Sequence, residues 1–195
     1  HPRVIVVARP NRRTRRRGRM TGTKPSVLIT GAGGYLGSAT IKELSARRDL
    51  FAAIIAVDVR DTSAVRRLGG ITYVTHDVRD AGIETILREH RIDTVVHLAS
   101  IVTPGKKSNR EFEYSVDVLG TRNVVECCLR AGVTHLIVTS SGAAYGYHAD
   151  NPAWLTEDMP LRGNGVFAYA HHKRLVEEML AAGVDSSLRR GELRR

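Results

Sequence analysis

Cysteine is scarce: the 195 residues hold two, side by side at Cys127 and Cys128 in a helical pattern. Two adjacent thiols exclude a disulfide framework, and neighbouring helix positions point about 100° apart, so the pair is also a poor metal chelator. They read as small buried hydrophobes in a reduced cytoplasm, which is the expected location. No stretch approaches the roughly 18 apolar residues that a membrane span requires, so no membrane association is expected. Internal repeats and low-complexity tracts are absent from residues 20–182, and so is any excess of one charge. The net +10 sits at the ends: residues 1–19 carry eight arginines and no acid, and residues 183–195 carry four arginines against Asp185 and Glu192, which together account for the whole excess. A basic chain suggests nucleic acid. No aromatic side chains are interleaved with these arginines to stack on bases, however, so no nucleic-acid partner is expected.

What remains has the make-up of one soluble domain, 42% hydrophobic and 26% charged. Residues 1–19 are expected to be a disordered arginine-rich extension, with Met20 read as the natural start, and residues 183–195 a basic tail. Between them apolar runs alternate with amphipathic stretches. Strands are predicted at residues 27–30, 52–57, 71–74, 94–98 and 134–139, and helices at 35–46, 81–90, 112–131 and 167–182, with a polar loop leading to about residue 165. Continuous Val/Ile/Leu runs between helices imply strands buried on both faces. The fold class is therefore α/β, a doubly wound parallel sheet of Rossmann type, with ligands at the carboxyl ends of the strands.

The first strand runs into Thr30-Gly31-Ala32-Gly33-Gly34-Tyr35-Leu36-Gly37. Gly31 permits the tight turn, Gly34 lets backbone approach a pyrophosphate, and Gly37 allows helix and strand to pack closely. The opening of the helix then offers free N–H groups and a positive dipole end to phosphates. Glycine turns also join strands to helices with no ligand, so the context matters: Asp58 stands at the end of the next strand, 21 positions beyond Gly37. Its carboxylate suits the hydroxyls of an adenosine ribose and repels a 2′-phosphate, which favours NAD over NADP. Arg60 is the one nearby feature that could help hold a phosphate, and Asp58 could also simply end a strand.

Downstream, Tyr169 and Lys173 are four apart on one helix face. A phenol that titrates near about 10 is a poor base at neutral pH, and an ammonium held beside it stabilises the phenolate. Ser141, just past the fifth strand, could bond the same substrate oxygen while Tyr169 moves the proton and NAD takes the hydride. Alone, such a Tyr–Lys spacing is usually a surface pair. Here it follows the dinucleotide turn, five strands and a Ser-Ser segment in order.

These motifs resemble the extended short-chain dehydrogenases/reductases, the NAD-dependent epimerase/dehydratase group that includes UDP-glucose 4-epimerases and, more distantly, 3β-hydroxysteroid dehydrogenases. The resemblance covers about residues 26–182 and rests on TGAGGYLG (30–37), DV (77–78), VVHLAS (95–100), DVLGTRNV (117–124), SSGAAYG (140–146) and YAHHK (169–173). It implies that Tyr35 and Leu36 meet the pyrophosphate, Asp77 and Val78 the adenine, and Leu98 and Ala99 the nucleotide backbone. It implies also that Ser141 is the catalytic hydroxyl beside Tyr169 and Lys173, which touch the cofactor as well. The implied substrate is a small molecule, a nucleotide sugar, and the implied assembly a homodimer through helices 112–131 and 167–182. Two departures stand out. Asp117 replaces the asparagine that generally helps order the site, and the region that binds substrate in relatives is largely missing, residues 183–191 only faintly resembling the entry to its next strand. The alternatives are an NAD-binding protein without catalysis or a 3β-hydroxysteroid dehydrogenase-like enzyme. His171 and His172 diverge on their helix and read as solvated or packing positions; no metal site is expected.

Overall fold

A computed structural model of the chain describes residues 4–8, 24–102 and 109–189. Its strands are β1 (Val4–Ala8), β2 (Ser26–Thr30), β3 (Ala53–Asp58), β4 (Thr72–Thr75), β5 (Thr94–His97) and β6 (His135–Thr139). They form one sheet in the order β1-β6-β5-β2-β3-β4. β2 to β6 are all parallel, as the alternation of apolar runs and helices predicts. β2 lies at the centre and every one of its residues is buried. Successive side chains on it serve opposite faces: Leu28 joins one apolar cluster with Ile55, Ile83 and Val95, while Val27 and Ile29 join another with Ile41 and Ile54. A strand with two buried faces has no polar side to show, which is why its sequence reads as an unbroken apolar run.

The helices are α1 (Tyr35–Ser45), α2 (Ile83–Glu89), α3 (Arg110–Tyr114), α4 (Thr121–Ala131) and α5 (Ala168–Arg189). The chain moves outward from β2 to β3 and β4, then returns to β5 on the other side of β2. That reversal opens a crevice at the carboxyl ends of β2 and β5, where an open α/β sheet takes its ligand.

Three expectations change. The predicted helix 112–131 starts at Arg110 and is interrupted by a π-helical stretch, Ser115–Gly120, between α3 and α4. A π turn inserts a residue without disturbing the apolar period on either side, so periodicity does not reveal it. The predicted helix 167–182 runs on to Arg189, replacing the start of the basic tail and the faint strand entry. Apart from Gly183 no strong helix breaker intervenes there, and Leu and Arg favour continuation. Finally, Val4–Ala8 is not a disordered extension but a strand, antiparallel to β6. β6 would otherwise present an open edge, and a run rich in β-branched residues is suited to pair with it. The rest of residues 1–19, with Met20 and residues 190–195, lies outside the described residues.

Candidate active site

The glycine turn is built as the spacing predicts. Gly31 has φ +69°, and a Cβ there would come within 2.6 Å of the Ala99 amide nitrogen and 2.8 Å of the Leu98 carbonyl carbon. Bare backbone therefore lets the turn lie against the chain leaving β5. At Gly37 a Cβ would stand 2.1 Å from the Gly31 carbonyl oxygen, so α1 can start this close to the turn only with glycine. Gly34 caps α1 without a side-chain hydrogen bond, and the first turn itself holds no acid. A Cβ on Gly34 would meet only the Gly31 oxygen, at 3.2 Å.

A pocket of about 290 Å³ opens at this turn. Gly31 and Gly34 form one wall, Asp58 comes from the end of β3, Asp77 and Val78 from the chain after β4, and Leu98 and Ala99 from the chain after β5. Asp58 accepts hydrogen bonds from the Gly33 N–H (2.9 Å) and the Arg60 N–H (3.0 Å), which hold its carboxylate against the turn. Asp77 is gripped by the Arg79 guanidinium at 2.6 Å, and that charged hydrogen bond holds its carboxyl below the usual carboxylate range despite partial burial. Sequence reading missed Arg79, which also donates to Ser115 Oγ (3.0 Å) and stacks over the Phe112 ring at 5.1 Å. It missed Ser100 too: this residue lines the pocket, and its buried hydroxyl has no hydrogen-bond partner among the described residues. Tyr35 and Leu36 are largely exposed and, with Gly37, do not line the pocket.

The proton-transfer candidates lie on α5 and just after β6. Ser141 caps the 3-10 turn Gly142–Tyr145, its Oγ accepting from the Ala143 N–H at 3.2 Å, and α5 packs on that turn. Lys173 is buried; its Nζ donates to the Thr139 carbonyl at 3.0 Å and lies 5.6 Å from the Tyr169 ring centroid. Burial pushes the lysine below its ordinary value, while the carboxylates of Asp117 and Glu177 work in the opposite direction. Tyr169 lines a second cavity of about 150 Å³ with Phe167, Arg110 and Glu113, and Ile101 lines both this cavity and the larger pocket. Ser141, Lys173 and Asp117 line neither.

Asp117 has become a structural hub. It is buried, with Oδ1 accepting from the Ile101 N–H (2.8 Å) and Oδ2 against His172 Nδ1 (3.0 Å). His172 is thus not solvated; it is buried and paired. Behind it, His97 is enclosed between Thr30 Oγ1 (2.7 Å) and Thr121 Oγ1 (3.0 Å), and burial pushes its imidazole down to about 3. Among the described residues no group of three or more His, Cys, Asp or Glu could hold a metal ion, and no helix is long and apolar enough to cross a membrane.

Known proteins resemble this chain in sequence and fold. The sequence profile of the NAD dependent epimerase/dehydratase family matches residues 27–188. A UDP-glucose 4-epimerase of Azospirillum brasilense is 33% identical over 175 residues, 87% of this chain and 48% of that protein. The crystal structure of UDP-glucose 4-epimerase from Thermus thermophilus in complex with NAD superposes with a TM-score of 0.65 at 27% identity, covering 83% of this chain and 51% of that one. A Stenotrophomonas maltophila UDP-glucose-4-epimerase with bound NAD and formylated UDP-arabinopyranose gives a TM-score of 0.70 at 25% identity over 84% of this chain and 49% of that one. The chain spans about half the length of these relatives.

Proposed function

The chain belongs to the NAD dependent epimerase/dehydratase family, and from that premise we propose that it binds NAD in the larger pocket and acts as an oxidoreductase on a nucleotide-sugar hydroxyl, with Tyr169 as acid/base. One observation carries the reading: seven residues assigned to a dinucleotide from sequence, scattered between Gly31 and Ala99, line a single pocket. The pocket also fits the group chemically. Glycine leaves bare backbone where a pyrophosphate must approach, the start of α1 has neither a side-chain cap nor an acid in its first turn and so suits anionic oxygens, and the Ser100 hydroxyl is a buried polar group in want of a partner.

When bound, NAD supplies the hydride acceptor. The chain's own groups do the rest. Asp58 receives the ribose hydroxyls, and Arg79 holds the Asp77 wall in place beside the base. Lys173, fixed by the Thr139 carbonyl and backed by two carboxylates, keeps a positive charge under the Tyr169 ring, so that a proton can move between the phenol oxygen and a substrate hydroxyl; Ser141, on the turn against which α5 packs, is the second hydroxyl assigned to that oxygen, although it lines neither cavity. In this reading the reacting part of the substrate occupies the small cavity at Tyr169, beside Ile101, which also lines the coenzyme pocket. A cytoplasmic homodimer through α3–α4 and α5 belongs to the same reading.

Titration calorimetry with NAD, followed by turnover of UDP-glucose or UDP-galactose, tests it. Tyr169→Phe is expected to retain NAD affinity and to lose about 10²–10⁴-fold in rate, the usual contribution of a positioned acid/base. Folded protein that takes up no NAD would refute the assignment. Uptake without Tyr169-dependent turnover would leave a coenzyme-binding protein.

A further inference from the structure

Among the ionisable residues buried at the site are Asp117, His172, Lys173 and Glu177, each at most 7% exposed. Proton transfer uses only Lys173. Isolated buried charges are costly, so their arrangement should have a use. A carboxylate has acceptors only, and Asp117 spends both oxygens on donors from different parts of the chain: Oδ1 on the Ile101 amide, Oδ2 on His172 Nδ1, which must therefore carry the hydrogen. Ile101 follows the 98–100 stretch that walls the coenzyme pocket and itself lines the cavity at Tyr169. His172 stands on α5 directly before Lys173. One carboxylate thus ties the coenzyme wall to the proton-transfer helix.

Asp117 is itself fastened from behind. It sits in the π-helical stretch, and Thr121 Oγ1 donates to its carbonyl at 2.6 Å. The same hydroxyl contacts His97, whose other ring nitrogen reaches Thr30, the residue before Gly31. Thr30 Oγ1 in turn accepts from the Leu98 N–H at 3.2 Å. An asparagine at 117 could still accept from the Ile101 N–H, but its NH2 group would meet His172 Nδ1 only in the other imidazole tautomer, as an acceptor; with the aspartate present, Nδ1 is the donor.

We propose that Asp117 and His172 are a positioning pair that clamps the 98–101 loop of the coenzyme pocket against α5, setting Lys173 and Tyr169 relative to bound NAD. The inference rests on the proposed function for its purpose, though not for its first test. Amide exchange at Ile101 in the ligand-free protein reads the clamp directly. In His172→Leu, exchange at Ile101 is expected to accelerate about tenfold or more, the effect of losing a hydrogen bond to a charged group, while exchange at Leu28 in the core stays unchanged. His172→Asn, whose amide nitrogen occupies the place of Nδ1, should restore the parent rate at Ile101; His172→Ala takes the place of leucine if that variant does not fold. By calorimetry, Asp117→Ala and His172→Leu should each weaken NAD about tenfold, and the double variant no further than the worse single, because both remove one clamp. Unchanged exchange at Ile101, failure of the asparagine variant to rescue, or additive losses in the double variant would overturn the proposal. If the parent protein itself takes up no NAD, the proposed function fails, and the exchange measurements still decide the pair.

Discussion

Replacing Gly31 by alanine tests the geometry of the turn most severely. Two independent costs arise at one atom. The backbone at Gly31 already lies in the left-handed region, with φ at +69°, and holding an L-amino acid there costs about 1–2 kcal/mol. The same Cβ would stand 2.6 Å from the Ala99 nitrogen and 2.8 Å from both Ala99 Cα and the Leu98 carbonyl carbon. These are backbone atoms on the far wall, so no side chain can swing away, and relief requires β2 and the chain after β5 to part; overpacking of this kind costs about 1–3 kcal/mol. The expected total is about 2–5 kcal/mol, a large share of the roughly 5–15 kcal/mol by which a domain is stable. For a domain of this size that lowers the melting temperature by about 5–15 °C, measured by scanning calorimetry. Because the parted walls are those of the pocket, NAD affinity should fall as well. Gly69→Ala is the control, since a Cβ there has nothing within 4 Å. A Gly31→Ala protein that melts within about 2 °C of the parent and binds NAD equally would show that the turn does not lie against the Leu98–Ala99 backbone as described.

His97 and the cysteines give further tests. With its folded value at about 3, His97 stays neutral in the folded chain while the unfolded chain protonates it below about 6.5. Its contribution is therefore present above that value and is lost as pH falls toward the folded one; between pH 7.5 and pH 5 the loss is about 2 kcal/mol. Urea melts across that range should show a shallower fall for His97→Gln, and identical slopes would contradict the enclosed, neutral imidazole. Burial pushes the Cys128 thiol up to about 12 and raises Cys127 as well, so thiolate is scarce at neutral pH. A maleimide at pH 8 should label both only as fast as the chain unfolds, whereas rapid labelling of the folded protein would show that α4 does not bury them.

The helix that carries Asp117 shows how the fold converts sequence into site. Asn109 caps α3 by accepting from the Phe112 N–H at 3.0 Å, and Gly132, with φ +77°, ends α4 in the left-handed conformation. Both ends are local signals. The π-helical stretch between them carries Asp117, which meets Ile101 and His172, and Val116, which lines the pocket together with Phe112 of α3. Arg79 then ties this helix to the chain after β4 through Asp77 and Ser115. The pocket is consequently bounded by segments that meet only when the sheet has assembled.

The α/β class, the five parallel strands, the glycine turn and the acid that follows it are all legible in residue order alone. Strands buried on both faces read as apolar runs, and Gly37 is required by a contact within the turn itself; Gly31 is legible from the same local spacing, although the backbone that demands a glycine there, at Leu98 and Ala99, arrives only with β5. Assembly of the sheet was needed to pair Val4–Ala8 with β6, to leave Ser100 with a buried, partnerless hydroxyl in the pocket, and to bring His172 to Asp117 across 55 residues. One cause covers all three. A hydrogen bond between distant residues leaves no period in the chain, and whether a polar group finds a partner depends on which surfaces the folded sheet brings within about 3 Å of one another.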